Sequence, residues 1–329
     1  MPRLQSDTRS RLIYLDSSVL DAIALQDSGG RIKSQFKAQS VIGFGSVQHL
    51  IEAYRIEDTE KRAQLMRTIL RVARQREVDP LMYREFNSFL NEVRRCHPDW
   101  LRPRPDLTLI NSDREWHRKA WESLKSDPAY RPVGLLQHRD FVRAVIGESM
   151  RRQKEIRIAK LEGGPRPVVI EDPSLRSRLQ PLIDALPPLE AGWREQAAGI
   201  WWNAAIRADD QVRSLSEWLA PLLLMEKFDL ESWMQFWLSE IDEEAIPVTR
   251  VQLLTGEFLS DFKVDAGHSG DMTHAGYGVI CEFLVTADVD FHTALSNVAK
   301  VAGVRMAAPI FVDRSSSDIA GAIADALGW

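Results

Sequence analysis

Four acidic residues stand where carboxylates can act together. Asp16 closes a short apolar run, RLIYLD at 11–16, so it sits where a buried strand would end. Asp288 follows a second such run, FLVT at 283–286, after one alanine. Glu52 lies one to two turns into a helix expected to start near Ser46, and Asp271 opens the run GDMTHAGY. Residues just past the carboxyl ends of parallel strands gather at one sheet edge, where ligand sites form. Several carboxylates there repel one another unless a hard cation lies among them. Oxygen donors of this kind suit Mg2+ or Mn2+, and such an ion lowers the pKa of a bound water and clamps a phosphodiester. Asp290, two residues past Asp288, is a fifth candidate ligand. Ser17, Ser46 and Thr286 supply hydroxyls that can support a carboxylate or a water, and His274 shares a helix face with Asp271 as a phosphate-facing or a packed histidine. Plainer roles stand beside these: Asp16, Asp290 and the serines suit helix caps, and Glu52 suits a solvated helix face.

Other chemistries fit less well. His268, Asp271 and His274 form an H-x-x-D-x-x-H spacing, but a zinc-binding pair on a helix is ordinarily four apart, and this pair is six apart across a glycine-bearing turn. An aspartate-nucleophile phosphatase needs D-x-D after its first strand, where this chain reads Asp16-Ser17-Ser18. The two cysteines, Cys96 and Cys281, lie 185 positions apart with no C-x-x-C, so neither a zinc ribbon nor a thioredoxin-type site is expected. Two lone thiols fit a reducing compartment.

The elements that must position the acids can be read from periodicity. Strands are expected at 11–16, 39–45 (QSVIGFG), 283–286 and 308–312 (APIFV), with helices between them. Strands alternating with helices imply an α/β fold with a parallel sheet flanked by helices. That alternation occupies residues 1–60 and 245–329, whereas 61–244 reads as an all-helical insertion. Within the insertion, helical patterns cover about 59–78, 136–161, 191–208, 211–227 and 229–241, and EGGPRPVV at 162–169 reads as a linker.

The pieces IYLDSSVL at 13–20, GSVQHLIEAYR at 45–55 and GDMTHAGYGVICEFLVTADVDF at 270–291 resemble the PIN or PIN-like domain nucleases. That family has an Asp after its first strand, often followed by Ser or Thr, a helix acid in an S-x-x-x-x-x-E-like setting, a third acid opening a helix, and a strand ending in T-x-D. The pattern falls on Asp16 with Ser17, Glu52 with Ser46, Asp271, and Asp288 with Thr286; the D-x-x-H-A run from Asp271 to Ala275 and the V-T-A-D run are its most specific parts. The resemblance covers about 145 residues from the two chain ends and not the insertion. It implies a PIN-like sheet, a nuclease dependent on Mg2+ or Mn2+, catalysis by Asp16, Glu52, Asp271 and Asp288, and RNA favoured over DNA. Members act as toxins, RNA-processing enzymes and phage-defence effectors. The alternative is an inactive PIN-like scaffold that binds protein or nucleic acid, with the helical insertion as its interface; an oligomer is compatible with either.

Charge distribution bears on the partner. The 329 residues carry a net charge of -5, yet residues 61–160 hold 23 Lys+Arg against 13 Asp+Glu. An acidic catalytic edge repels a polyanion, so basic residues elsewhere must hold it. Arg62, Arg67, Arg71, Arg74, Arg94 and Arg95, and the denser cluster Arg151, Arg152, Lys154 and Arg157, are the candidates for phosphate contact. Nine of ten tryptophans fall between Trp100 and Trp237, mostly in an acidic stretch, so they are expected to build a helical core rather than a base-stacking platform. The composition, 44% hydrophobic and 27% charged, excludes a disordered or fibrous chain. The N-terminus, MPRLQSDTRSR, lacks the apolar run of a signal peptide, and the apolar stretch Leu219–Met225 is broken by Pro221 and far too short to span a bilayer. A cytoplasmic protein with no membrane association is expected.

Overall fold

The computed structural model describes residues 11–77, 81–129, 151, 153–162, 170, 172–206, 218–262 and 268–329. Strand β1 (Arg11–Leu15) pairs in parallel with β2 (Val41–Gly45) on one side and β4 (Phe283–Thr286) on the other. Strand β3 (Ala73–Arg76) extends the sheet beyond β2, and β5 (Ala308–Phe311) extends it beyond β4, giving the order β3-β2-β1-β4-β5 with all pairs parallel. The α/β class and the parallel sheet built from both chain ends agree with expectation. The chain steps outward from β1 to β3, then returns to the other side of β1 through β4, so the strand order reverses between β1 and β4. In an open parallel sheet the crevice at that reversal is where ligands bind.

β1 is apolar throughout because it is covered on both faces. Its side chains alternate. Ile13 and Leu15 enter a core formed with α1 (Ser17–Leu25), α2 (Gly29–Ala38) and α4 (Thr59–Val72). Tyr14 enters the opposite core. There it stacks on Tyr277 at 4.8 Å, in a core that continues through α5 (Leu81–Cys96) into the aromatic cluster of the helical region. Trp201, Trp233 and Trp237 are fully buried in that cluster. Trp201 lies 4.3 Å from Phe89, and the Trp233 indole N–H donates to the Ala198 carbonyl at 2.9 Å. Most of the tryptophans thus form core, as their acidic surroundings suggested; Trp116 is exposed.

Two expectations need correction. The helix expected over 59–78 ends at Val72, and β3 follows, so the α/β part reaches past residue 60 and the insertion is not all-helical from 61. Arg and Gln in ARQR have no strong preference for either state; the unpaired edge of β2 decides. Gly43 permits the close approach, since a Cβ there would lie 2.4 Å from the Val72 carbonyl oxygen. The helix expected over 211–227 is not continuous either. Residues 211–217 lie outside the described ones, and the helical turn at Trp218 and Leu219 stops at Pro221, as a missing N–H and ring clash require. Much of the stretch 136–161 and of the linker 162–169 also lies outside the described residues. Among the described residues no helix is long and apolar enough to cross a membrane.

Glu85 of α5 fastens the helical region, which includes α6 (Thr108–Ser126), to α7 (Pro247–Leu259). Its buried carboxylate accepts the Val248 and Thr249 N–H groups at 3.2 and 2.7 Å, two of the unpaired donors at that helix start. Burial outweighs these bonds and pushes the carboxyl up to about 7 from its ordinary 4.5. Between those pH values the unfolded chain binds fewer protons, so stability falls as pH rises through the window. Relative to a Glu85→Gln variant, the wild type is expected to lose about 3 kcal/mol between pH 4.5 and 7. Urea unfolding across that range measures this, and a pH-independent difference between the two proteins would refute it.

Candidate active site

Asp16 is the residue after β1. Its backbone N–H donates to the Val285 carbonyl at 2.9 Å, which ties it to the end of β4. Its carboxylate caps α1, accepting from the Val19 N–H at 3.1 Å and from the Ser18 hydroxyl at 2.6 Å. Thr286 adds a second hydroxyl. Ser18 also accepts the Ala287 N–H at 3.1 Å, so one serine bridges the two strand ends. Asp16 is only 3% exposed, and burial raises its pKa against the opposing charge of His274 and these hydrogen bonds.

Asp288 caps the next helix, α9 (Val289–Val301), accepting from the Phe291 N–H at 2.8 Å, and its own N–H donates to the Thr286 hydroxyl at 3.0 Å. The cap reading and the site reading of Asp16 and Asp288 therefore hold together, because a residue that ends a strand and starts a helix does both. Asp290 lies in the first turn of α9. Asp271 lies in the first turn of α8 (His268–Tyr277), half-buried. Burial pushes its carboxyl up to about 8; His274 opposes this, while Asp16, Asp288 and Glu52 add to it. Asp16, Asp288 and Glu52 thus lie near enough to act on Asp271, at the carboxyl edge of the sheet.

Glu52 has a different environment from the other three. It lies on α3 (Val47–Tyr54), and its carboxylate accepts from the Ser17 hydroxyl, from Gln48 Nε2 at 2.6 Å and from His274 Nε2 at 3.1 Å. Burial alone would raise its pKa, but the His274 charge and these three donors overcome it and hold Glu52 well below the usual carboxylate range. His274 is buried, which by itself would lower its pKa; Glu52 first, then Asp16 and Asp271, reverse the sign and raise it. His274 is therefore the counter-charge at the centre of the acids. Gly270 makes room for this pairing, since a Cβ there would fall 2.8 Å from Glu52 Oε1.

A buried chain of hydrogen bonds orients His274 from behind. Its Nδ1 donates to the Tyr14 oxygen at 2.6 Å when the ring is charged, and the Tyr14 hydroxyl donates to Ser46 Oγ at 2.9 Å. Ser46 also caps α3 and contacts His49 Nδ1 at 3.2 Å, while His49 Nε2 donates to the Leu15 carbonyl at 2.8 Å. Burial lowers the His49 pKa to about 3, helped by the His274 charge, so His49 stays neutral and can accept. Ser46 thus supports Tyr14 and His49 rather than a carboxylate. Ser17 and Thr286 do support carboxylates, as expected.

Among the described residues, no three His, Cys, Asp or Glu side chains are grouped closely enough to hold a metal ion together. The oxygens of Asp16 and Glu52 are turned toward hydroxyl, amide and imidazole donors. Burial first, and then the charges of Asp16, Asp288 and Glu52, raise the Asp271 pKa; carboxylate oxygens are the donor type that a hard cation takes.

The basic candidates divide by position. Arg71 lies at the end of α4 and pairs with Asp27 at 3.2 Å, and Arg74 lies in β3. The start of β3 lies at the edge opposite the carboxyl ends of the strands, so neither arginine is placed beside the acids. Arg62 is buried and donates to the Ile56 carbonyl at 2.7 Å, a structural role. Arg94 and Arg95 close α5, where Arg94 bonds to Asn91 and Arg95 to Glu92 and the Glu240 carbonyl. The helical residues 153–162 come closer to the site. Gln153 Nε2 contacts the Met272 sulfur at 3.2 Å, next to Asp271, and Lys160 pairs with Asp261 at 2.7 Å. Lys154 is exposed, Arg157 is half-buried, and Arg151 pairs with Glu155 at 2.5 Å. Arg152 lies outside the described residues.

Sequence reading passed over Tyr14, Gln48, His49 and Arg314. Tyr14 offered a signal, since a polar-tipped aromatic two residues before Asp16 shares its side of the strand. Gln48 and Glu52 are four apart and so share a helix face. No protein-family model, curated protein or solved structure matches this chain.

His274→Ala leaves Glu52 as a largely buried, uncompensated charge. We expect it to destabilise the fold by about 2 kcal/mol at neutral pH, and Glu52→Gln in the same chain to recover part of that loss. Chemical denaturation of the double-mutant cycle measures the coupling. Strictly additive effects would show that the pair is not coupled.

Proposed function

We propose that this chain is a metal-dependent nuclease of the PIN-like kind that hydrolyses phosphodiester bonds, with RNA the favoured substrate. One observation supports the reading: Asp16, Asp271, Asp288 and Glu52, drawn from four separate segments, lie near the β1/β4 reversal, and the other three add to the burial that raises the Asp271 pKa. A fold that needed only stability would not crowd like charges at a partly buried edge. Asp16, Asp271 and Asp288 would hold Mg2+ or Mn2+, with Asp290 at the rim. When bound, such an ion polarises a phosphoryl oxygen and lowers the pKa of a water. Ser18 and Thr286 orient Asp16. Glu52 serves through His274: the pair keeps one positive charge among the acids and fixes α3 against α8. Lys154, exposed on the segment whose Gln153 contacts Met272, and Arg151, paired with Glu155, are the phosphate contacts this reading assigns to that segment.

The second reading, an inactive scaffold that binds protein or nucleic acid, is favoured by a different observation: internal donors already engage the oxygens of Asp16 and Glu52. Calorimetric titration with Mn2+ separates the two. Saturable binding that Asp271→Asn weakens supports the nuclease, and no heat of binding supports the scaffold.

Asp16→Asn and Asp288→Asn are each expected to lower metal-dependent cleavage of single-stranded RNA at least about 100-fold. Undiminished cleavage by both proteins would end the assignment. Arg151→Glu with Lys154→Glu should weaken RNA binding and flatten the dependence of log affinity on log salt by about 1–2 units. An unchanged salt slope would remove this segment from the substrate path.

A further inference from the structure

The carboxyl edge of the sheet carries an open pocket of about 260 Å³ beside the acids, lined by Ser18, Ala287, Asp288, Val289, Asp290 and Arg314. Arg314 comes from the loop between β5 and the last helix, α10 (Ile319–Ala326), so the far end of the chain supplies it. That loop is fixed independently of the arginine. Asp313 accepts from the Ser315 N–H at 2.9 Å and the Ser315 hydroxyl at 2.8 Å, and the Ser316 carbonyl accepts from Gln26 Nε2 at 2.7 Å. Arg314 itself is exposed, and among the described residues it has no hydrogen-bond or ion-pair partner. This is unusual for a guanidinium that shares a pocket with two carboxylates, which ordinarily take it in a bidentate pair. Val289, 60% exposed, gives the pocket one apolar wall.

We propose that Arg314 and this pocket form a subsite for the phosphate and sugar that neighbour the scissile linkage of a single-stranded nucleic acid. The inference rests on the nuclease reading of the adjacent acids. A planar guanidinium presents paired N–H donors that match two phosphate oxygens. The pocket falls just below the roughly 300–1,000 Å³ of sites that enclose a whole small ligand, which suits one nucleotide unit of a longer strand. Asp288 and Asp290 in the lining repel a phosphate, and Arg314, the cation of that lining, is the place where it docks. The position therefore sets the register of the strand relative to Asp16 and Asp288.

The test uses the full-length protein and labelled single-stranded RNA oligonucleotides carrying one neutral methylphosphonate linkage at successive positions. Binding is followed by fluorescence anisotropy across a salt series, and cleavage by single-turnover assay with Mn2+. Arg314→Ala is expected to weaken binding about tenfold and to lower the salt slope by about 1, with Arg314→Lys recovering part of the loss. One neutral linkage next to the cleaved bond should weaken the wild type and leave Arg314→Ala unaffected. If the wild type binds and cleaves RNA while Arg314→Ala keeps its affinity, slope and linkage profile, the subsite is overturned and the nuclease reading stands. If the wild type neither binds nor cleaves RNA or DNA, the nuclease reading fails and the subsite fails with it. Matching thermal unfolding of wild type and variants establishes that the exposed substitution has not altered the fold.

Discussion

The Asp16 N–H donates to the Val285 carbonyl, the Asp16 carboxylate takes the hydroxyls of Ser18 and Thr286, and Ser18 accepts the N–H of Ala287. These bonds fasten the end of β1 to the end of β4 across a sequence separation of 269 residues. Closing a loop of that length costs on the order of 5 kcal/mol of chain entropy, comparable with the gain from burying two or three core side chains. Ile13, Tyr14, Leu284 and Val285, all buried at this seam, supply such a gain. Without the seam there is no strand reversal, and without the reversal Asp16 and Asp288 have no common crevice.

Charge is distributed unequally around the seam. Asp16 and Asp271 are raised above the ordinary carboxylate range chiefly by burial, Asp271 to about 8, and His274 opposes the rise at both. Glu52 is instead neutralised by His274, whose orientation passes back through Tyr14, Ser46 and His49 to the carbonyl of Leu15. The relay begins and ends on β1, so the strand that carries Asp16 also sets the ring that moderates the other acids. The arrangement couples electrostatics to backbone placement: a shift of α3 or α8 would change the charge state of the cluster.

The helical region is continuous with the sheet. Alternation along β1 sends Ile13 and Leu15 to one core and Tyr14 to the other, and the second core extends without a break into the tryptophan cluster. Trp121, on the helix Thr108–Ser126, packs with the first core, so residues between the two α/β segments reach both sides of the sheet. The region therefore buttresses the site from behind. It also brings residues 153–162, with Lys154 and Arg151 near their start, against the helix of Asp271.

Much of this was legible in the residue pattern. The apolar runs that became β1, β2, β4 and β5 are short and bounded, and the caps Asp16, Ser46 and Asp288 act within three residues, so local sequence contains what they need. β3 was not legible, because ARQR becomes a strand only through the open edge of β2 and the space above Gly43. Nor was the division of the basic residues legible, since helical spacing places Arg71 and Arg151 on similar surfaces and only the direction of the strands separates their edges. The identity of the candidate acids, their neighbouring hydroxyls and the parallel sheet were determined by sequence alone, because each depends on period, capping and residue type over a few positions. Tertiary structure decided that Glu52 answers to His274, that Ser46 serves Tyr14, and that Arg314 shares a pocket with Asp288. Those are contacts between residues brought together by long-range packing, and no local pattern encodes their distance.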